Sequence, residues 1–188
     1  MNLRIIAGEF RRRIIKSPRS RQTHPMGERI RAAVFNKLVH YLPNANVLDV
    51  FAGTGALGLE ALSRGAKTAT LVEKDRKAQK IINNNIEALN LEQRSKLVRA
   101  NVNGWLNTVL ATIKPADLPR YDIIFADPPY WDPQFDVVER LSVLLADKGV
   151  LVLSHSKQID TPKLKGLELL DRREYAEAVT AYFAHSSQ

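Results

Sequence analysis

The 188-residue chain has no cysteine, which excludes a disulfide framework and any thiolate metal site. It has no apolar run approaching the ~18–20 residues of a membrane span. Its opening, MNLRIIAGEFRRR, lacks the long apolar stretch and small-residue cleavage site of a secretory signal. The four histidines, His24, His40, His155 and His185, show no metal-ligand spacing, so no metal is expected. Repeats and low-complexity tracts are also missing. A reducing, cytoplasmic setting is compatible with these absences, the length suits one domain with a small appendage, and with no unexplained apolar stripe a monomer without a membrane partner is the expectation. With 45% apolar residues, the chain can build a proper core.

Charge is scarce in one sign at one end. Residues 1–40 hold ten basic side chains and only two acids, Glu9 and Glu28. The rest of the chain balances 18 against 18, so the whole net charge of +8 sits at the front. A neutral body with a basic front end favours a polyanionic partner. Residues 3–7 (LRIIA) and 12–16 (RRIIK) read as the two strands of a β-hairpin, followed by a proline-containing loop, SPRSRQTHP. Arginines on the outer face of such a hairpin would form a preorganised phosphate-binding surface. The candidate RNA-contacting residues are Arg4, Arg11, Arg12, Arg13, Arg21, Arg29 and Arg31. The boundary expected from this reading is a basic extension over 1–23 and a main domain over 24–188.

A helix follows, with Ile30, Ala33, Val34, Leu38 and Tyr41 on its apolar stripe. Arg29 and Arg31 fall off that stripe and are expected to face solvent. From residue 46 the chain alternates strand-like runs (NVLDVF, TATLVE, KLVRAN, YDIIFAD, GVLVLS) with helical segments. One helical segment is marked by a capping Asp75 and a stripe of Ala78, Ile81, Ile82, Ile86 and Leu89. Such alternation predicts βαβ units and a parallel sheet. The closing LELLDRREYA and EAVTAYFA read as two strands with no helix between them. The expected fold is α/β and Rossmann-like, a seven-stranded mostly parallel sheet with an antiparallel edge strand.

The stretch VLDVFAGTGALGLE carries G-x-G-x-x-G at Gly53, Gly55 and Gly58 after a strand, the form of a dinucleotide loop. Asp49, four residues before the first glycine, argues against a dinucleotide. A carboxylate there repels a pyrophosphate bound at the helix N-terminus, by ~1–4 kcal/mol at several ångströms. S-adenosylmethionine carries an ammonium and a sulfonium instead, and the same acid attracts it. Glu73, ending the next strand, suits ribose hydroxyls in either kind of site.

FADPPY, ending at Tyr130, supplies the chemistry. Two prolines stop the strand and remove two N–H groups, which frees carbonyls to point into a cleft. Asp127 beside the Pro128 carbonyl makes two acceptors for the two hydrogens of an exocyclic amine. Holding the amine this way aims its nitrogen at a methyl donor, so alignment carries much of the catalysis. Tyr130 would stack on the base that carries the amine, once that base is unstacked or flipped. Trp105 reads as core, and Trp131 borders the base pocket.

RIIAGEFRRR (4–13), RIRAAVFNKL (29–38), VLDVFAGTGALGLEALSRGA (47–66) and FADPPY (125–130) together resemble the RsmD family. These are bacterial S-adenosylmethionine-dependent methyltransferases of a guanine N2 amine in small-subunit (16S) ribosomal RNA. The resemblance runs from residue 4 to about 155 and implies a class I methyltransferase fold. It also implies a methyl-donor site lined by Asp49, Phe51, Gly53, Gly55 and Glu73, with Asn101 and Val102 flanking the adenine. Asp127, Pro128 and Tyr130 would hold the target guanine, and the substrate would be a ribosomal subunit or an assembly intermediate. The family commonly has glycine where this chain has Arg12, R-P-T where it has Arg21-Gln22-Thr23, and Asp where it has Asn101.

Two other readings share these features. A DNA adenine-N6 or cytosine-N4 methyltransferase carries both motifs but usually needs extra mass to read sequence, and residues 131–188 are committed to the sheet. A non-catalytic RNA-binding assembly factor could keep the fold, yet would not need an intact D-P-P-Y beside an intact glycine loop.

Overall fold

The computed structural model describes residues 2–17 and 26–186, and Arg21 and His24 lie outside them. Seven strands form one sheet: β3 (Asn46–Val50), β4 (Thr68–Glu73), β5 (Ser95–Arg99), β6 (Tyr121–Ala126), β7 (Leu145–Ser156), β8 (Leu167–Glu174) and β9 (Ala178–His185). Their order is β5-β4-β3-β6-β7-β9-β8, with β5 through β7 all parallel. The chain builds outward from β3 to β5, then returns to the other side of β3 with β6. That reversal leaves a crevice beyond the carboxyl ends of β3 and β6, where ligands bind in such sheets.

The mostly parallel sheet is the expected one, with a refinement at its end. Only residues 175–177 link β8 to β9, a connection short enough to force antiparallel pairing. β9 inserts between β7 and β8, antiparallel to both, so the antiparallel strand lies one place in from the edge.

Among the described residues, five α-helices cover the two faces: α1 (Glu28–Lys37), α2 (Ala56–Ser63), α3 (Arg76–Ala88), α4 (Val102–Thr112) and α5 (Phe135–Arg140). α1, α2 and α3 share one apolar core with one face of the sheet, and α4 and α5 share another with the opposite face. Asp75 caps α3 as its position predicts, accepting from the Lys77 and Ala78 N–H groups at 2.9 and 2.8 Å. All eight residues of α2 are buried, its only charge being Glu60.

The N-terminal hairpin forms from β1 (Asn2–Arg4) and β2 (Ile14–Lys16), shorter than the two sequence runs. Leu3, Ile5 and Ile15 are buried in the α1–α3 core, worth about 1.5–3 kcal/mol each. Gly8, at φ 84°, lets the turn lie flat on the end of α2: a Cβ there would fall 1.8 Å from the Ser63 carbonyl oxygen. Around that contact, Glu9 N–H donates to the Ser63 carbonyl at 2.8 Å, and the Ser63 hydroxyl donates to the Ala7 carbonyl at 2.6 Å.

Arg31 corrects the helix reading. It is 1% exposed, and α1 buries Arg31, Val34 and Phe35, with Leu38 just past its end, a stripe rotated about one position from the expected one. Its guanidinium donates to the Arg4 carbonyl of β1 and lies 3.9 Å from the buried Glu60 carboxylate. Glu60 in turn accepts from the Ile6 and Ala7 N–H groups and from Arg64. Burial depresses the Arg31 pKa against the pull of Glu60 and Glu28. Arg31 fastens the hairpin to α2, and a guanidinium so enclosed has no face left for a phosphate.

Candidate active site

Three carboxylates gather at the carboxyl ends of adjacent strands. Asp49 is the penultimate residue of β3, Glu73 ends β4, and Asp127 follows β6 directly. Among the described residues none of the three has a cationic side chain within salt-bridge distance. Nor do three acidic or histidine side chains among them converge closely enough to hold a metal ion.

Asp49 sits beneath the glycine loop. Its Oδ2 accepts from the Gly58 N–H at 2.9 Å, and a Cβ on Gly58 would lie 3.3 Å from that oxygen and 3.1 Å from Leu71. The third glycine therefore permits close packing of α2 on β3 and β4. Burial pushes the Asp49 carboxyl well above the usual range; the Gly58 N–H opposes this, and the charges of Asp127 and Glu73 add to it. A site that strains to keep an anion favours a cationic ligand, and an ammonium or sulfonium meets that demand.

The loop itself turns sharply through Phe51 (φ 62°), Gly53 (φ 56°) and Gly55 (φ 76°), and Gly55 starts α2. Phe51 packs against the α4–α5 core. Glu73 spans the loop: one oxygen accepts from the Gly53 N–H at 2.7 Å, the other from the Asp75 N–H at 2.7 Å. Each carboxylate oxygen retains a second lone pair for a ribose hydroxyl donor.

Asn101 and Val102 begin α4 at the end of β5. The exposed Asn101 uses its side-chain oxygen to cap the helix, accepting from the Asn103 and Gly104 N–H groups at 3.0 and 3.3 Å. Its amide hydrogens stay available to a ligand. Val102 is 3% exposed and points into the core, so only its backbone can face the crevice.

The D-P-P-Y turn stops β6 at Ala126 as the prolines require. Among the described residues nothing donates to the Asp127 or Pro128 carbonyl, whereas the Pro129 carbonyl accepts from the Asp132 N–H at 2.9 Å. Burial raises the Asp127 pKa to about 6, with the Ser154 hydroxyl a smaller opposing influence. Tyr130 is half-exposed, its hydroxyl 3.5 Å from the Ser154 Oγ on β7. Burial raises the phenol pKa as well. Ser154 was not singled out from the sequence; its signal is a hydroxyl that ends the buried apolar run Val150–Leu153.

Of the expected RNA contacts, Arg4, Arg11, Arg12, Arg13 and Arg29 are exposed, and Arg31 is not. Arg4 lies 3.8 Å from Glu28 at the start of α1, and Arg13 donates to the Ala88 carbonyl at 3.3 Å. Trp105 is half-buried against the core, while Trp131 stands 76% exposed beside Tyr130.

A family model described as Conserved hypothetical protein 95 matches residues 3–184. The chain is 31% identical over 166 residues to the ribosomal RNA small subunit methyltransferase D of Haemophilus influenzae, covering 88% of this chain and 81% of that one. It is 36% identical over 149 residues to the protein of the same name from Escherichia coli strain K12, covering 79% and 69%. Among solved structures it is similar to the yhhF protein of Escherichia coli, with a TM-score of 0.85, 28% identity and 100% coverage of both chains.

Proposed function

The chain belongs to the RsmD family, that of the Conserved hypothetical protein 95 model, and from that premise we propose that it methylates small-subunit (16S) ribosomal RNA. The donor in this reading is S-adenosylmethionine and the acceptor is the exocyclic N2 amine of one guanine. The observation that carries the reading is the pairing, at one crevice, of a carboxylate-lined glycine loop with Asp127 and Pro128 carbonyls that have no donor among the described residues.

When bound, S-adenosylmethionine supplies the methyl as a sulfonium electrophile and leaves as a neutral thioether. Asp49, Glu73 and the Gly53–Gly55 backbone would hold its charged and hydroxyl groups, with Phe51, Asn101 and the Val102 backbone flanking the base. Asp127 and the Pro128 carbonyl accept the two amine hydrogens of the guanine and so fix the direction of the nitrogen lone pair. Tyr130 covers the base face. Asp127, with a pKa near 6, can take the proton that the amine sheds after transfer.

Residues 1–23 act in this reading as an RNA-binding extension of the catalytic domain over 24–188, with Arg4, Arg11, Arg12, Arg13, Arg21 and Arg29 reaching phosphates. The protein works as a cytoplasmic monomer on the small subunit or an assembly intermediate. No helix of the described residues is long and apolar enough to cross a membrane.

The test is transfer of labelled methyl to unmethylated small subunits, naked small-subunit RNA and duplex DNA, followed by nucleoside analysis. Label in N2-methylguanosine from either RNA sample supports the reading, and the better of the two identifies the substrate state. Label in DNA alone would overturn it.

A further inference from the structure

Trp131 is 76% exposed, more than any other large apolar side chain among the described residues. Its position is nevertheless built. Pro128 and Pro129 stiffen the chain before it, and the Asp132 N–H donates to the Pro129 carbonyl at 2.9 Å, closing a turn with Tyr130 and Trp131 at its centre. Gln134 Nε2 donates to the Asp132 carboxylate at 2.8 Å and holds the far side. Phe135, next in the chain, is anchored edge-on to His155 with ring centroids 6.1 Å apart.

The two central residues of the turn differ in attachment. Tyr130 is tied back to the sheet through Ser154, whereas Trp131 has no aromatic or cationic partner among the described residues. An exposed indole on this proline-stiffened turn, one residue from Tyr130 and four from Asp127, offers a surface for stacking. Drawing a base out of its stack exposes a face of each neighbouring base. An aromatic surface at the mouth of the pocket covers such a face.

We propose that Trp131 is a second nucleobase platform, stacking on the unpaired nucleotide next to the one held by Asp127 and Tyr130. The platform rests on the RNA-methylating reading above and extends it to a flanking base. Stacking accepts any base, so Trp131 adds affinity and registers the strand without reading sequence. It also involves no phosphate, which separates it from the arginines of the hairpin.

The experiment uses the full chain carrying Trp105→Phe, which leaves Trp131 as its only tryptophan. Titration with small-subunit RNA is expected to quench and shift the indole emission. Trp131→Ala is expected to weaken RNA binding about ten-fold while leaving its salt dependence and the affinity for S-adenosylmethionine unchanged. Trp131→Tyr should keep most of the affinity and Trp131→Leu should not. Unaltered emission on a protein that filter binding shows to be RNA-saturated would overturn the platform and leave the RNA reading standing, as would a Leu variant as good as Trp. Failure of the unsubstituted chain to bind any RNA would overturn both.

Discussion

Asn85 grips Lys16 by both of its backbone groups, accepting from the N–H at 2.7 Å and donating to the carbonyl at 3.0 Å. The same amide nitrogen donates at 3.1 Å to the carbonyl of Thr54, between the two first glycines of the loop. One side chain thus joins the hairpin to the glycine loop, and Asn85 is 1% exposed.

Asn85→Ala strands three backbone groups in a buried position. The expected loss is about 2–4 kcal/mol, seen as a fall in Tm of about 5–15 °C. Asn85→Asp should not recover the loss, because its second oxygen would face the Lys16 and Thr54 carbonyls, acceptor against acceptor in a buried site. Thermal unfolding of the three proteins checks this, and an Ala variant as stable as the parent would contradict the clamp.

The arginines of the basic front end divide into two kinds. Arg11→Ala is expected to make the slope of log K against log salt shallower by ~0.7–0.9, with stability intact. Arg31→Ala removes a buried charge partner of Glu60 and should cost about 3–5 kcal/mol of stability instead. Denaturant unfolding beside salt-dependent RNA binding separates the two effects.

Arg12 holds φ 69°, the left-handed region that glycine adopts without the strain a side chain brings. Arg12→Gly is expected to stabilise the fold by about 0.5–1 kcal/mol and to weaken RNA binding in the same protein. Urea midpoints and binding isotherms measure the two directions; a destabilised Gly variant would mean that Arg12 is held by contacts rather than by its backbone.

The fold was legible because its signals were local. Alternating strand and helix patterns, the Asp75 cap and the strand-stopping prolines each depend on a few neighbouring residues. Arg31 was not legible in this way. Its stripe, with Val34, Phe35 and Leu38 at i+3, i+4 and i+7, is helical in spacing, but a charge on it reads as solvent-facing until its partner is known. That partner, Glu60, is 29 residues away on a helix with no other charge. Asn85 hid likewise on the apolar stripe of α3, three residues after Ile82. In the site, Asp49, Glu73 and Asp127 stand where the sequence order of strand ends puts them. The helix-capping role of Asn101 and the inward aim of Val102 depended on how α4 begins.

The Asp127 carboxyl, raised from an ordinary value near 3.8 to about 6, makes both activity and stability depend on pH. In the proposed mechanism the amine-holding form is the carboxylate, so kcat/KM should rise with pH through about 6, and Asp127→Asn should remove that limb. Stability moves the other way. The native state binds the proton more tightly than the unfolded chain between about pH 4 and 6, so this group's contribution is present below that window and lost as pH rises through it. The loss is at most about 3 kcal/mol, and urea unfolding of the parent and Asp127→Asn at pH 4.5 and 7.5 would display it.

The most direct test of the account is single-turnover methyl transfer by Asp127→Ala with S-adenosylmethionine already bound. Donor affinity, measured by calorimetry, is expected to stay close to that of the parent, with transfer to small-subunit RNA slowed by about 100-fold or more. Near-normal transfer from that variant would contradict it, because the amine would then be held by something other than the carboxylate at the end of β6.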